Sequence, residues 1–247
     1  MRVLIGAPLR QDPLIFTEHL RGIAELEIPE GVEVDKFYVA NGERACLPLL
    51  GDGEFVVRDD LVPAFYESGE SNRDHVWTLY DTLKMCELRS VLTDKVLNEG
   101  YDYLLSVDTD VVMRPETLRA LLEADKQIVS EVFWTKADSG LEWCNAWLVD
   151  GYGVRGSDFA KWRQAGLYQV GMTGACTLIH RSVFEAGVSY RQIPNIYNSL
   201  VGEDRHFCVR AACAGIELWL DTRYPATHLY RQEEYERFME ARKNGKQ

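Results

Sequence analysis

Short apolar runs alternate with segments of helical periodicity in the first part of the chain. Residues 2–7 are almost entirely apolar, and residues 32–39 alternate between apolar and polar side chains. Residues 13–26 and 75–98 carry apolar side chains at the three- and four-residue spacing of amphipathic helices. The pattern therefore predicts a strand, a helix, a second strand and a long helix that Asp74 caps.

The next segment completes an order of elements that is typical of α/β folds. Residues 103–107 are apolar except for one serine, as in a strand covered on both faces of a sheet. A helix is predicted to start at residues 114–116, where proline and glutamate follow arginine, and residues 128–133 form a further apolar strand. Strands that alternate with helices predict a mostly parallel, Rossmann-like sheet with flanking helices.

The second half of the chain is predicted to be less regular. Residues 141–162 mix three tryptophans with glycines, residues 175–180 form an apolar strand, and Ser182 opens a short helix. The remaining predicted elements are a helix over residues 203–214, a strand over residues 217–221 and a charged helix over residues 233–246.

The length of 247 residues and the apolar content of 46% suit one compact domain, which we expect to cover the whole chain. We divide it into a first half over residues 1–112, a second half over residues 113–230 and a C-terminal helix over residues 231–247. Residues 41–73 are rich in glycine and proline and are predicted to form a long loop, a kind of segment that usually serves a function.

The chain is acidic, with 27 basic and 39 acidic residues and a formal net charge of −12. Such a surface repels phosphate backbones and anionic lipids, so a nucleic-acid partner is not expected. No CxxC pair occurs among the six cysteines, which argues against a zinc site and suits buried thiols in a reducing compartment. We find no signal-peptide pattern and no apolar run near the roughly 20 residues of a membrane span. We therefore expect a cytoplasmic protein without a transmembrane segment.

Two carboxylates follow the strand predicted at residues 103–107, because Asp108 and Asp110 flank Thr109 directly after it. In open α/β sheets, ligands bind beyond the carboxyl ends of the strands. Two neighbouring carboxylates at that edge can hold Mg²⁺ or Mn²⁺ while leaving coordination positions open for substrate phosphates. The alternative is that both aspartates only cap the following helix.

Residues 101–110, Tyr-Asp-Tyr-Leu-Leu-Ser-Val-Asp-Thr-Asp, resemble the strand and DxD motif of GT-A-fold glycosyltransferases, especially family 2-like enzymes. The resemblance implies a metal-dependent enzyme that takes a sugar from a UDP- or GDP-sugar and transfers it to a hydroxyl of a glycan or another acceptor. It implies that Asp108 and Asp110 bind the metal and that Asp108 and Thr109 border the donor diphosphate. Residues 1–112 would then bind the nucleotide-sugar, and residues 113–230 would bind the acceptor and carry out catalysis.

Two further segments resemble motifs of the same family. Residues 202–205, Gly-Glu-Asp-Arg, are similar to the ED motif, which implies Asp204 as catalytic base with Glu203 beside it. Residues 224–228 are similar to the region that supplies a third metal ligand, which implies that role for His228. An imidazole beside two carboxylates favours Mn²⁺ over Mg²⁺.

The base role of Asp204 implies inversion at the anomeric carbon, since a carboxylate on the acceptor side removes the hydroxyl proton during attack. A carboxylate at a helix N-terminus is expected to have a lowered pKa. The alternative is that Glu203 and Asp204 only complement the helix dipole. The other histidines are interpreted as structural, and they are His19, His75, His180 and His206.

Donor-binding residues are expected at the ends of the first strands. Residues 2–11 resemble the first nucleotide-binding strand and loop of the family. The resemblance implies that Pro8 and Arg10 contact the donor. Asn41 ends the second strand at a position where family 2 enzymes often carry a carboxylate. This departure leaves the identity of the donor's nucleotide base undetermined. Arg89 matches an arginine often found in the helix before the DxD strand. A guanidinium at either arginine can pair with phosphate or with a surface acid.

The acceptor side is predicted from aromatic and glycine residues. Trp134, Trp143 and Trp147 can stack on sugar faces, although such residues commonly belong to the core. Gly171 and Gly174 precede an apolar strand, where a sugar can approach the backbone closely.

Three other functions are compatible with parts of the sequence. A haloacid-dehalogenase-type phosphatase would use Asp108 as nucleophile and Asp110 as acid, but its motif normally follows the first strand. A dinucleotide oxidoreductase is suggested by the GxGxxG match at residues 151–156, which lies too late in the chain and lacks the acid that recognises ribose. A non-catalytic sugar-binding module is the third alternative.

Overall fold

The computed structural model describes residues 1–42, 44–51, 53–60, 79–136, 142–149, 160–193 and 202–245. The predictions for Asp74, His75 and the GxGxxG match at residues 151–156 lie outside these ranges, as do residues 43, 52 and 61–73 of the predicted loop over residues 41–73.

One large sheet forms the centre of the molecule. Within the described residues it contains ten strands, in the order β3-β2-β1-β4-β11-β6-β12-β5, with β7 added to β6 and β9 added to β12. The strands in chain order are β1 (Arg2–Leu9), β2 (Glu33–Ala40), β3 (Glu54–Val57), β4 (Tyr103–Val107), β5 (Val111–Val112), β6 (Ile128–Lys136), β7 (Glu142–Cys144), β9 (Leu167–Val170), β11 (Cys176–His180) and β12 (Leu218–His228). A separate two-stranded ribbon joins β8 (Ala146–Trp147) to β10 (Met172–Thr173).

Most strands of the central sheet run in the same direction, as predicted. Strands β1, β2, β3 and β4 pair in parallel, and so do β6 and β12. Strand β11 lies antiparallel between β4 and β6, so all of the parallel strands end at the same edge. The fold class is therefore α/β with a large, mostly parallel sheet and flanking helices.

Helices cover both faces of the sheet. They are α1 (Pro13–Ala24), α2 (Leu79–Glu99), α3 (Thr117–Glu123), α4 (Arg181–Glu185), α5 (Glu203–Cys213) and α6 (Gln232–Lys243). Alternation along β4 shows how the strands are covered, because Leu104 packs with α2 on one face and Leu105 packs with α1 on the other. Gly6 in β1 lets α2 approach closely, since a Cβ at this position would lie 2.9 Å from Leu92 Cδ2.

Several predicted boundaries are corrected by the structure. The region predicted as loop contains a 3₁₀-helix, Leu47–Leu50, and the edge strand β3. Strand β12 continues to His228 instead of stopping near Asp221, because its later part pairs with β5 and, beyond a register shift, with β6. The cap of α4 is His180, whose side chain accepts a hydrogen bond from the backbone N–H of Ser182.

The C-terminal helix α6 packs beside α1. Tyr235 and Phe238 rest against a small apolar cluster that includes Ile15 and Val112, and Arg242 donates to Glu18 at 2.6 Å. None of the helices in the described ranges combines the length and the apolar composition that crossing a bilayer requires.

Candidate active site

The predicted acidic motif follows β4 at the edge where the parallel strands end. The backbone N–H of Val111 donates to the carbonyl of Asp108 at 3.0 Å, so the chain turns sharply between the two aspartates and the short strand β5. Strand β5 pairs with the end of β12, which places His228 opposite Val111. The N–H of Leu229 also donates to the Asp110 carbonyl at 2.7 Å. Backbone pairing therefore brings Asp110 and His228 together although they are far apart in sequence.

The side chains of Asp110 and His228 face each other at this edge. Asp110 Oδ2 lies 3.4 Å from His228 Nε2, and the other ring nitrogen, Nδ1, lies 2.8 Å from the Thr135 hydroxyl. Both side chains are largely buried, with 22% and 12% of their surface exposed. A histidine that ligates a metal through one nitrogen usually forms a hydrogen bond through the other. The arrangement offers Nε2 and a carboxylate oxygen to the same small space.

Asp108 faces a different partner. Its Oδ1 accepts a hydrogen bond of 2.6 Å from Nη2 of Arg89, a guanidinium that is almost fully buried. Among the described residues, no group of three or more His, Cys, Asp or Glu side chains lies close enough to form a complete metal site alone. The structure therefore brings Asp110 and His228 together, whereas the Asp108 side chain is bonded to Arg89.

Arg89 connects the two acidic motifs. Its Nε donates to Glu203 Oε1 at 2.7 Å, and its Nη1 donates to Ser106 Oγ at 2.8 Å. The guanidinium also lies over the ring of Tyr190, 5.5 Å from its centroid. Charge-assisted bonds of this length are strong, and burial increases the cost of losing them. The sequence left Arg89 open as a partner of the donor or of a surface acid, and the structure shows it buried, with bonds to Glu203, Ser106 and Asp108.

The electrostatic environments of the two aspartates differ. Burial raises the pKa of Asp108, and the nearby Arg89 acts in the opposite direction. Burial also acts to raise the pKa of Asp110, but His228, a backbone hydrogen bond and His19 together outweigh it, and the pKa falls below its usual value. Asp110 is thus the carboxylate that more readily carries a negative charge at this edge.

The second acidic motif starts helix α5. Glu203 is buried against Arg89, and Asp204 points toward the turn before β11. A Cβ built on Gly174 would lie 2.1 Å from Asp204 Oδ2, so this carboxylate occupies the space that a side chain would fill. Among the described residues, the Asp204 carboxylate has no hydrogen-bond donor within bonding distance.

The expectation of a lowered pKa for Asp204 is wrong. Burial raises the pKa of this carboxyl group well above its usual range, and Glu203 adds to the effect while Arg89 opposes it. The helix N-terminus does not compensate, because a buried carboxylate close to other acids is costly to ionise.

The residues predicted for the donor lie around the ends of β1 and β2. Pro8 pairs with Val39 inside β1, and Arg10 is exposed just after that strand. Asn41 is buried, and its side-chain amide donates to the Arg58 carbonyl at 2.8 Å. Thr109 is also buried, between the two aspartates. These positions border the edge that carries the acidic motif.

The three tryptophans have different surroundings. Arg163 lies over Trp134, 4.0 Å from the ring centroid, and Arg205 lies over the half-buried Trp147 at 5.6 Å. Trp143 is 43% exposed and pairs across β7 and β6 with Thr135, the residue that bonds to His228. Directly opposed residues in antiparallel strands share a face, so the exposed indole lies near the histidine.

Several residues of the site were missed by the sequence reasoning. Ser106 interrupts an otherwise apolar strand, and this single polar residue was a usable signal for a buried partner. Thr135, Asn145 and Ala175 carry no comparable signal, because their roles depend on contacts between distant segments. Ala175 has a φ of 66°, which is uncommon outside glycine.

Part of the chain is similar in sequence to longer known proteins. No protein-family model matches the chain. It is 27% identical over 146 residues, or 56% of its length, to procollagen-lysine,2-oxoglutarate 5-dioxygenase 1 of Bos taurus. The Rattus norvegicus protein of the same name is 27% identical over 141 residues. The chain spans only 19% of the length of these relatives.

Two solved structures of S. aureus TarS share the fold. The structure of residues 1–349 superposes with a TM-score of 0.53 and 14% identity, covering 92% of this chain and 60% of that chain. A longer TarS structure gives the same TM-score and covers 97% of this chain and 38% of its own. The mixed α/β fold of this chain is thus similar to the fold of TarS.

Proposed function

We propose that this chain is a metal-dependent glycosyltransferase that transfers a sugar from a nucleoside-diphosphate sugar to an acceptor hydroxyl with inversion. The observation that carries the proposal is the pairing of Asp110 with His228 at the sheet edge, 3.4 Å apart. Ligands of open α/β sheets bind at this edge. TarS, which shares the fold, forms a complex with UDP-GlcNAc, and this agrees with a nucleotide-sugar donor.

A divalent cation fits the groups at this edge. Mg²⁺ and Mn²⁺ commonly take one or two protein carboxylates and complete their coordination with water and substrate phosphates. Asp110 and His228 would supply the protein ligands, with Asp108 beside them, and the imidazole favours Mn²⁺. The bound cation would supply positive charge to stabilise the departing diphosphate.

The protein residues then divide the work of transfer. Arg89 holds Asp108 and Glu203, which fixes the metal side relative to helix α5. Asp204 accepts the proton of the acceptor hydroxyl while the hydroxyl oxygen bonds to the anomeric carbon. The bond from that carbon to the diphosphate oxygen breaks, and its electron pair leaves with the diphosphate. Attack from the face opposite the leaving group inverts the anomeric configuration.

The acceptor is assigned only as a hydroxyl-bearing molecule, with a glycan favoured by the exposed ring of Trp143 near His228. An indole face packs well against the C–H groups of a sugar ring. The alternative phosphatase function has less support, since its nucleophile, Asp108, is bonded to Arg89.

A binding experiment tests the metal and donor assignments. UDP- and GDP-sugars are screened by thermal unfolding with and without Mn²⁺, and a donor at 100 times its Kd is expected to stabilise the protein by about 2.7 kcal/mol. Asp110→Asn should remove the metal-dependent part of this stabilisation. The matched control is Asp94→Asn, which makes the same change on the exposed face of α2. Equal stabilisation of Asp110→Asn and the control would contradict the proposal.

A further inference from the structure

The corner formed by residues 173–176, between β10 and β11, touches both acidic motifs. On one side, the carbonyl of Ala175 accepts a hydrogen bond of 2.8 Å from the backbone N–H of Asp108. On the other side, the Asp204 carboxylate fills the space above Gly174, as the 2.1 Å distance from an added Cβ shows. Two consecutive residues thus contact the two acidic motifs. Ala175 contacts Asp108 on the proposed metal side, and Gly174 contacts Asp204 on the proposed acceptor side.

The corner is held rigidly by contacts from three other segments. Asn145 donates from Nδ2 to the Gly174 carbonyl and to the Glu131 carbonyl, both at 2.9 Å. Its Oδ1 accepts from the N–H of Phe133 at 3.0 Å, so the Asn145 side chain is fixed by β6. The thiol of Cys208 in α5 donates to the Thr173 carbonyl at 3.2 Å.

The backbone of the corner is strained at the position that faces Asp108. Ala175 has a φ of 66°, a left-handed conformation that residues with a Cβ rarely adopt. Strain of this kind persists only where the surrounding contacts impose it, and it is concentrated at functional sites. Here it directs the Ala175 carbonyl toward the Asp108 amide and leaves Gly174 facing helix α5.

We propose that this corner sets the separation between the metal-side and acceptor-side carboxylates, with Gly174 as the positioning residue for Asp204. The inference rests on the proposed glycosyl transfer, because it assumes that Asp204 accepts the acceptor proton. A methyl group at Gly174 would push the Asp204 carboxylate away from its place. The bond from Asp108 to the Ala175 carbonyl would remain, so donor binding would be retained.

The test is a double-mutant cycle of Gly174→Ala and Asp204→Ala. Gly174→Ala is expected to lower the transfer rate by about 100-fold or more, the size of a general-base contribution, while metal-dependent donor affinity stays as in the wild type. It should also lower the Tm of the wild type. The same substitution should leave the Tm of Asp204→Ala unchanged, because the clashing carboxylate is gone. Gly166→Ala is the matched control, since the three atoms nearest to its added Cβ all belong to the end of the Tyr168 side chain.

The outcomes separate this inference from the proposed function. Wild-type transfer by Gly174→Ala, or an equal drop in Tm in both backgrounds, would overturn the positioning role. A Gly174→Ala chain that folds only together with Asp204→Ala would support it, and failure to fold in both backgrounds would overturn it. If the wild type transfers no sugar, the proposed function fails, while the Tm cycle still reports whether Gly174 and Asp204 compete for the same space.

Discussion

The strand-end pair, Asp108 and Asp110, and the helix-start pair, Glu203 and Asp204, are held in place by different means. In each pair, one carboxylate is bonded to Arg89, namely Asp108 in the first pair and Glu203 in the second. Asp110 is fixed by backbone pairing with the end of β12, and it finds a partner in His228. Asp204 is located by the space above a glycine and has no such partner among the described residues.

This difference explains why the pKa values of Asp110 and Asp204 are shifted in opposite directions. The pKa of Asp110 is lowered because His228, a backbone hydrogen bond and His19 together outweigh its burial, whereas burial near other acids raises the pKa of Asp204. A carboxylate with a lowered pKa suits a cation ligand, and one with a raised pKa is the stronger proton acceptor once ionised. Under the proposed function, this contrast suits metal binding by Asp110 and proton acceptance by Asp204.

The largest expected effect is the loss of sugar transfer in a variant of Asp204 that still binds the donor. Asp204→Asn keeps the size of the side chain but removes its capacity to accept a proton, so transfer should fall by about 10²–10⁴-fold. Donor affinity in the presence of Mn²⁺, measured by calorimetry, should stay at the wild-type value. A variant that loses donor binding as well would show that the two pairs do not divide the work as proposed. A product that keeps the donor's anomeric configuration would remove the base role.

The next effect comes from breaking the connection between the pairs. Arg89→Met leaves Asp108 and Glu203 without their cation, and loss of one partner of a buried ion pair costs about 3–5 kcal/mol. The free energy of unfolding in urea should fall by that amount. Arg181→Met is the control, since its pair with Glu185 is on the surface and is worth about 0.3–0.5 kcal/mol. Equal losses in the two variants would mean that Arg89 does not connect the pairs energetically.

The strand-end pair was predictable because its structure is local. Residues 103–107 are apolar, and the structure confirms the strand at these bounds, with the two aspartates directly after it. Hydrophobic burial on both faces determines such a strand without help from distant segments. His228 was identified from its motif, but its place at the end of β12 was not predicted. The continuation of this strand beyond Asp221 depends on pairing with β5 and β6.

The surroundings of the helix-start pair could not be predicted in the same way. Helix α5 begins at Glu203 as expected, but the raised pKa of Asp204 depends on the burial of its carboxyl group in the tertiary structure and on the neighbouring Glu203. Asn145 lies between two short strands and looks like an ordinary polar residue in the sequence. Tertiary contacts of this kind leave no periodic pattern in the chain.

A smaller effect is expected from His19, next to the strand-end pair, on how stability changes with pH. His19 is fully buried, its Nδ1 donates to the Val111 carbonyl at 2.9 Å, and burial lowers its pKa to about 4. The unfolded chain, with a histidine pKa near 6.5, binds one more proton than the folded chain between these pH values. Stability is therefore complete above about pH 6.5 and falls as the pH decreases, by about 2 kcal/mol at pH 5.

Urea unfolding at pH 7.5 and pH 5 measures this contribution. The wild type should lose about 2 kcal/mol more than His19→Gln over that interval, since glutamine does not titrate. Parallel losses in the two proteins would show that the acid sensitivity comes from other groups.

The smallest effect concerns the rim of the site next to His228. Trp143 is 43% exposed, so Trp143→Ala should leave the unfolding midpoint nearly unchanged. Loss of an indole that stacks on a sugar should weaken binding of that sugar by about tenfold, which corresponds to 1.4 kcal/mol. Phe55→Ala is the matched control, because Phe55 is equally exposed but lies on the edge strand β3. Separate titrations of donor and acceptor show which sugar the indole contacts, and unchanged affinity for both would exclude Trp143 from the site.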